Sequence, residues 1–192
     1  MDIRFQSVWL SQSTKPHTRN LKSSLQRSGM KQHQRFENYS IAIERGDINY
    51  KELEPLYRRH YKQMQDRLKS DGVTVGDYKP RLDEYFKAFA GGWLINYVVR
   101  FKGEPVGYSN VYLTNDMHNG EFIAQEDTVF VDPAHRCGIG RHLVKHILND
   151  LRQRGVIRAN ITAVTDLRTG KIWKRMGFKE VAALMTYEFR EA

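Results

Sequence analysis

The feature that most constrains this chain is a change of pattern between residues 129 and 151. Val129-Phe130-Val131-Asp132-Pro133 reads as a strand that stops at a proline. Gly138-Ile139-Gly140 then opens a segment with Leu143, Val144, Ile147, Leu148 and Leu151 at helical spacing. A strand, a glycine turn and a helix start in succession point to a mixed α/β fold, the helix packing back on the sheet. They also make an anion site. Glycines let the backbone approach closely, the first N–H groups of the helix have no partner, and the macrodipole favours negative charge. Arg136 and Arg141 add charge-assisted contacts suited to phosphate. The third glycine of a dinucleotide fingerprint is missing, and no Gly-Lys-Ser/Thr follows as in a Walker loop. Taken alone, a Gly-x-Gly also fits an ordinary tight turn.

The remaining pattern supplies a sheet and its covering helices. Tyr39 to Ile43 alternates as a strand. A helix is expected from Tyr50 to Lys69, with Leu53, Leu56, Tyr57, Tyr61, Met64 and Leu68 on one face and Lys51, Arg58, Arg59, Lys62 and Arg67 on the other. Pro80 opens a short second helix that Gly91-Gly92 stops. Three strands follow as an antiparallel meander: Trp93 to Phe101, Pro105 to Leu113, and Glu121 to Val131, joined at Lys102-Gly103-Glu104 and at residues 115–120. After the helix from Gly140 to Arg154, which Gly155 ends, come a strand over Ile157 to Val164, a short helix over Thr169 to Met176, and a last strand over Glu180 to Phe189. The order is βααβββαβαβ.

Charge divides the chain. The formal net charge is +9, and residues 1 to 35 carry seven basic residues against one acid, Asp2. That stretch is rich in Ser, Gln and Asn and has no sustained apolar period, so residues 1–36 are expected to be a basic N-terminal extension and residues 37–192 the folded domain. Such an arm suits a polyanion, nucleic acid or acidic protein, and equally a merely solvated surface. Phe5, Val8, Trp9 and Leu10 are apolar enough to dock on the body or on a second subunit, which leaves monomer and homodimer both open. No stretch approaches the ~20 apolar residues that span a bilayer, and the N-terminus lacks the apolar core of a signal peptide. The one cysteine, Cys137, allows no internal disulfide. These features lead to the expectation of a cytoplasmic protein without a membrane partner.

The stretch Val131-Asp132-Pro133-Ala134-His135-Arg136-Cys137-Gly138-Ile139-Gly140-Arg141-His142-Leu143 resembles the coenzyme A-binding motif of the GNAT N-acetyltransferase superfamily. Trp173-Lys174-Arg175-Met176-Gly177-Phe178 looks like that superfamily's other signature, a short helix ending in Gly-Phe about forty residues later. The element order also matches from Tyr39 to Phe189, about four fifths of the chain. The resemblance implies a mostly antiparallel central sheet with splayed central strands and flanking helices. It implies acetyl-CoA as cosubstrate, no metal, and direct transfer to an amine that it does not identify, with an acyl group larger than acetyl equally compatible. Main-chain N–H groups from Arg136 through Cys137, Gly138, Ile139 and Gly140 to Arg141 would hold the pyrophosphate. Phe130 and Val131 would splay from the next parallel strand near Ala163 and Val164, and their backbone would bind the pantetheine arm and polarise the thioester carbonyl. Asp166 takes the place of a frequent asparagine. The family's Arg or Gln falls on His135 in ungapped register, so Arg136, one place later, is expected to take the phosphate role. Trp173 stands where many members have a tyrosine that protonates the leaving thiolate. An indole cannot do so, which requires either departure as thiolate, plausible for a thiol of pKa about 8.5, or another tyrosine.

An attacking amine must also lose a proton. Glu126 and Asp127 sit mid-strand just before the splayed segment, and strict alternation would let only one of them face the cleft. On that basis Asp127 shares a face with Val129 and Val131, and Glu126 with Thr128 and Phe130. Asp127 is the first candidate for the base and Glu126 the second, each also readable as a surface carboxylate. Tyr187, on the last strand, could present a phenol to the cleft or be a half-buried strand residue. His142 and His146 lie four apart on one helix face without a third ligand, so their spacing is read as coincidence. Cys137 sits at a helix start beside Arg136, where a thiol is prone to oxidation, but direct transfer needs no such nucleophile. Tyr57, Tyr61 and residues 70–80 are expected to border the acceptor site. The alternative to an enzyme is a nucleic-acid-binding or host-directed interaction protein on the same fold, acting through its basic arm.

Overall fold

Two-residue hairpin turns match the right-handed twist of antiparallel strands when both turn residues take left-handed dihedrals. Lys102 (φ 51°) and Gly103 (φ 93°) do so, and Phe101 pairs with Glu104 across them. In the computed structural model, which describes residues 36–162 and 169–189, this hairpin is the centre of the expected meander. The elements are β1 (Tyr39–Glu44), α1 (Tyr50–Ser70), α2 (Leu82–Ala90), β2 (Leu94–Phe101), β3 (Glu104–Asn115), β4 (Phe122–Val131), a 3-10 turn (Pro133–His135), α3 (Ile139–Gln153), β5 (Arg158–Asn160) and α4 (Thr169–Arg175). The sheet order is β1-β2-β3-β4-β5; the first three pairings are antiparallel and β4–β5 is parallel. Expectations for residues 1–35, Ala163, Val164 and Asp166 lie outside the described residues.

Helices cover both faces of the sheet, which is why β2 is buried over its first six residues instead of alternating. Neighbours in β2 serve opposite layers. Val98 joins Leu53, Leu56 and Tyr57 of α1 with Tyr108 and Phe130, while Tyr97 donates to Asp150 of α3 at 2.6 Å. The α3 stripe predicted from spacing is buried at Leu143, Val144, Ile147 and Leu151. Each such aliphatic side chain contributes about 1.5–3 kcal/mol on burial. In the core Asn96 donates to the Tyr57 hydroxyl (2.9 Å) and to Asn110 Oδ1 (2.8 Å), while its own Oδ1 has no partner among the described residues. Arg100 bridges Glu44 of β1 and Glu52 of α1 at 2.5–2.8 Å, fixing the helix across the sheet edge.

The second helix, the fifth strand and the last strand depart from the sequence reading. The second helix begins at Leu82, two residues after Pro80. The fifth strand is only Arg158–Asn160, paired with Ile123–Gln125. The last strand expected over Glu180 to Phe189 is not formed: Val181, Leu184, Met185, Tyr187 and Phe189 are each at least 78% exposed, and no strand is assigned there. Strand propensity reflects packing on a pleated neighbour, and no strand lies alongside this segment among the described residues.

Candidate active site

A β-bulge in β4 sets the geometry of the site. Asn110 of β3 pairs with Thr128 and the next residue, Val111, with Glu126, so Asp127 is the extra residue without a partner. An extra residue breaks strand alternation between Asp127 and Thr128, which share a face, while Glu126 and Asp127 still leave by opposite faces. Glu126 lines the α3 side with Val129, Val144 and Ile147. Asp127 lines the α1–α2 side with Thr128 and Tyr108. The face assignment from strict alternation is therefore reversed: Glu126 goes with Val129, and Asp127 with Thr128 and Phe130. Sequence carries no mark of the bulge, since neither glycine nor proline accompanies it.

Glu126 sits where the β4–β5 ladder ends. The last pair is Gln125 with Asn160, and two residues on, Thr162 donates its amide (3.0 Å) and hydroxyl (3.2 Å) to Glu126 Oε2. A side chain thus takes an amide that backbone would otherwise take. Glu126 and residues 128–131 of β4 stay paired with β3 but have no strand partner toward β5 among the described residues. Burial pushes the Glu126 carboxyl up to about 7 against the lowering effect of the Thr162 bonds.

On the α1–α2 face lies a cavity of about 110 Å³. Tyr50, Tyr57, Tyr61, Tyr78, Tyr85 and Tyr108 contribute to its wall, with Asp127 as its acid. Tyr85 donates its hydroxyl to Asp127 Oδ2 at 3.3 Å. Burial raises the Asp127 carboxyl, while the bonds from Tyr85 and Asn110 hold it down. His60 stacks on Phe130 at 4.9 Å and is 2.7 Å from the Tyr108 hydroxyl; burial, aided by the Arg136 charge, lowers it to about 4, so it is neutral at pH 7. The sequence pointed to Tyr57, Tyr61 and, within residues 70–80, Tyr78, but not to Tyr50, Tyr85 and Asn110. Their only advance signal was the clustering of tyrosines in residues 50–85.

The glycine turn is built as the pattern required. Gly138 takes φ 107°, a left-handed conformation that other residues adopt at a cost, and caps α3. Of the six amides assigned to anion binding, Arg136, Cys137 and Arg141 donate to Pro133, His135 and Gly138 carbonyls. Gly138, Ile139 and Gly140 have no main-chain acceptor among the described residues, which narrows the candidate cradle to three amides. The Arg136 side chain does not extend freely to a phosphate. Its Nε donates to the Val131 carbonyl (3.0 Å) and its Nη2 to Gln63 (3.0 Å), bracing the end of β4 against α1. Arg141 is exposed beside the turn, and Cys137 Sγ lies 3.7 Å from the Tyr39 hydroxyl. Phe130 and Val131 are both buried, the former in the α1 cluster.

The C-terminal candidates fare differently. Trp173 stacks edge-on with Phe178 at 5.9 Å, and its buried indole Nε1 has no hydrogen-bond acceptor among the described residues. Tyr187 is 80% exposed with its ring against Phe189, so the structure does not bring it to the cleft. Glu188 reaches the loop after α1, accepting the Thr74 amide at 2.5 Å.

Comparison with known proteins agrees with this architecture. The chain superposes on a ribosomal-protein-alanine N-acetyltransferase from Brucella melitensis biovar Abortus 2308 with a TM-score of 0.58 and 17% identity, covering 80% of this chain and 99% of that one. A GCN5-related N-acetyltransferase from Ralstonia eutropha JMP134 gives 0.57 and 18%, over 78% and 98%. An aminoglycoside acetyltransferase from an uncultured soil metagenomic sample, solved with sisomicin, gives 0.62 and 14%, over 80% and 98%. At these identities the likeness is one of fold. No curated protein sequence matches significantly. The family model described as Acetyltransferase (GNAT) family matches residues 53–178, a span that contains the bulge, the glycine turn, Trp173 and all of the cavity lining except Tyr50. With two thirds of its length inside that match, the chain belongs to the GNAT family of acetyltransferases.

Proposed function

We propose that this enzyme transfers an acetyl group from acetyl-CoA directly to a primary amine, with Asp127 as the base. The observation that carries the reading is the position of Asp127: it is the unpaired residue of the β4 bulge, two residues beyond the last β4–β5 pair, and it faces the tyrosine-walled cavity. A carboxylate there stands between a place for an amine and the stretch of β4 beyond its last described pair with β5.

The residues present fit the coenzyme. Gly138, Ile139 and Gly140 offer three amides at a helix N-terminus for the pyrophosphate. The edge of β4 over residues 126–130, which has no strand partner toward β5 among the described residues, offers an extended backbone to the pantetheine arm. The Trp173 indole N–H is a donor, not an acid, and is buried, so it does not supply the proton to the leaving thiolate. In the step, Asp127 takes one proton from the ammonium. The nitrogen lone pair forms the amide C–N bond, the thioester C–S bond breaks with its electron pair on sulfur, and the second N–H proton goes to the thiolate or to solvent. Burial raises the Asp127 carboxyl and so strengthens it as a base.

Acetyl-CoA is expected to stabilise the protein, by about 2.7 kcal/mol at a hundred times its dissociation constant. Asp127→Asn should keep that thermal shift and lose about 10²–10⁴-fold in kcat. Absence of the shift at millimolar acetyl-CoA contradicts the reading, and unchanged kcat in Asp127→Asn moves the base to Glu126 or to solvent.

A further inference from the structure

The tyrosine cavity has a chemistry that selects among amines, and the inference drawn from it rests on the acetyl-transfer reading. We propose that the acceptor is a small primary amine with a single positive charge and an apolar body no larger than one ring or a short alkyl chain. A polyamine, an aminoglycoside or a peptide terminus does not fit.

Size sets the first bound. The inner space measures about 110 Å³, of the same order as the roughly 150 Å³ in which an apolar protein cavity holds benzene, so one ring or a short alkyl chain fills it. Charge sets the second. Among the lining residues Asp127 is the one carboxylate, and no described lysine or arginine is paired with it. One ammonium balances that charge; a second would enter the same aromatic wall with no carboxylate to receive it. The outer face of Tyr78 is already taken by a cation, the Arg58 guanidinium, which lies 4.9 Å from the ring centre and pairs with Glu54.

The wall itself favours a cation with an apolar body. Tyr57 and Tyr108 meet edge to face at 4.5 Å, and the Tyr50 and Tyr78 hydroxyls lie 3.3 Å apart, so these rings are held by one another. Aromatic faces attract an ammonium by about 0.5–2 kcal/mol and cover an alkyl or aryl group equally well. Sugar hydroxyls and peptide amides need partners that the cavity does not spare. Asn110 is engaged with Asn96 and Asp127, and Thr128 Oγ1 accepts the Asn110 amide. Each unpaired polar group buried there costs about 1–3 kcal/mol.

The test uses the full-length protein in two assays. Binding of 2-phenylethylamine, n-pentylamine, spermidine, sisomicin and an alanine-initiated peptide is measured by calorimetry in saturating coenzyme A, where no transfer occurs. Thiol release with acetyl-CoA then gives kcat/KM for each. Expected is a preference of about 100-fold for the two monoamines over the other three. Met64→Trp, which fills the cavity from α1, should abolish monoamine binding while the acetyl-CoA thermal shift survives. Equal or better use of spermidine, sisomicin or the peptide overturns the proposal, as does monoamine binding that Met64→Trp leaves intact. If the unaltered protein shows no acetyl-CoA shift, the transfer reading fails instead, and calorimetry without coenzyme still decides which amine the cavity takes.

Discussion

At the scale of single residues, the adjacent acids of β4 differ in environment more than in chemistry. Glu126 is held by Thr162 in the gap between β4 and β5, with its carboxyl raised to about 7 by burial. Asp127 faces the tyrosines and is held by Tyr85 and Asn110. A carboxyl raised on folding favours the protonated native state. Its contribution is fully present below the unfolded value near 4.5 and is lost as pH rises through about 7. Glu126→Gln should therefore raise stability above pH 7 relative to the unaltered protein, by on the order of 3 kcal/mol, and flatten the dependence between pH 4.5 and 7. The amide oxygen of Gln can still accept from Thr162. Urea unfolding at pH 5 and pH 8 checks this; an equal effect at both values excludes a titrating Glu126. His60 acts in the opposite direction. Its value is depressed to about 4, so its contribution is present above pH 6.5 and is lost as pH falls toward 4.

At the scale of elements, the join between β4 and α3 does the most positioning. Asp132 accepts the Ala134 amide as the strand turns, Arg136 holds the Val131 carbonyl, and Gly138 turns left-handed so that α3 starts with its amides aligned. Gly138→Ala forces a Cβ into φ 107°, a strain of about 1–2 kcal/mol, or rotates the helix start. The expected outcome is a protein that still melts cooperatively but binds acetyl-CoA at least about tenfold more weakly. Affinity equal to that of the unaltered protein, measured by calorimetry, contradicts the three-amide cradle.

At the scale of the whole molecule, every site residue described lies between Tyr39 and Phe178, and no helix among the described residues is long and apolar enough to cross a membrane. Residues 1–35 hold seven basic residues against one acid, six of the nine excess charges of the chain. A chain beginning at Phe36 is thus expected to keep its acetyl-CoA thermal shift. It should lose affinity for RNA or DNA only if the arm carries that contact, with a salt dependence of about 0.9 log units per neutralised duplex phosphate. Unfolding on truncation would instead make Phe5, Val8, Trp9 and Leu10 packing anchors. Retained nucleic-acid affinity with unchanged salt dependence would rule out the arm as a polyanion site.

Local chemistry made much of this protein legible in its sequence. Periodicity marked α1 and α3, paired glycines ended α2, Lys102-Gly103 closed the hairpin, and Gly138-Ile139-Gly140 announced a helix start with free amides. Each of these depends on residues close in the chain. Three features depended on partners far away in sequence. The bulge at Asp127 arises from the register between β3 and β4 and reverses the faces that alternation assigns to two neighbouring acids. Arg136 is bound to Val131 and Gln63 because α1 passes beside the end of β4. Glu180 to Phe189 has the composition of a strand but no strand to pair with among the described residues. A side chain's identity is written in the sequence; which face it leaves by, and what it meets there, is decided by register and by the element packed against it.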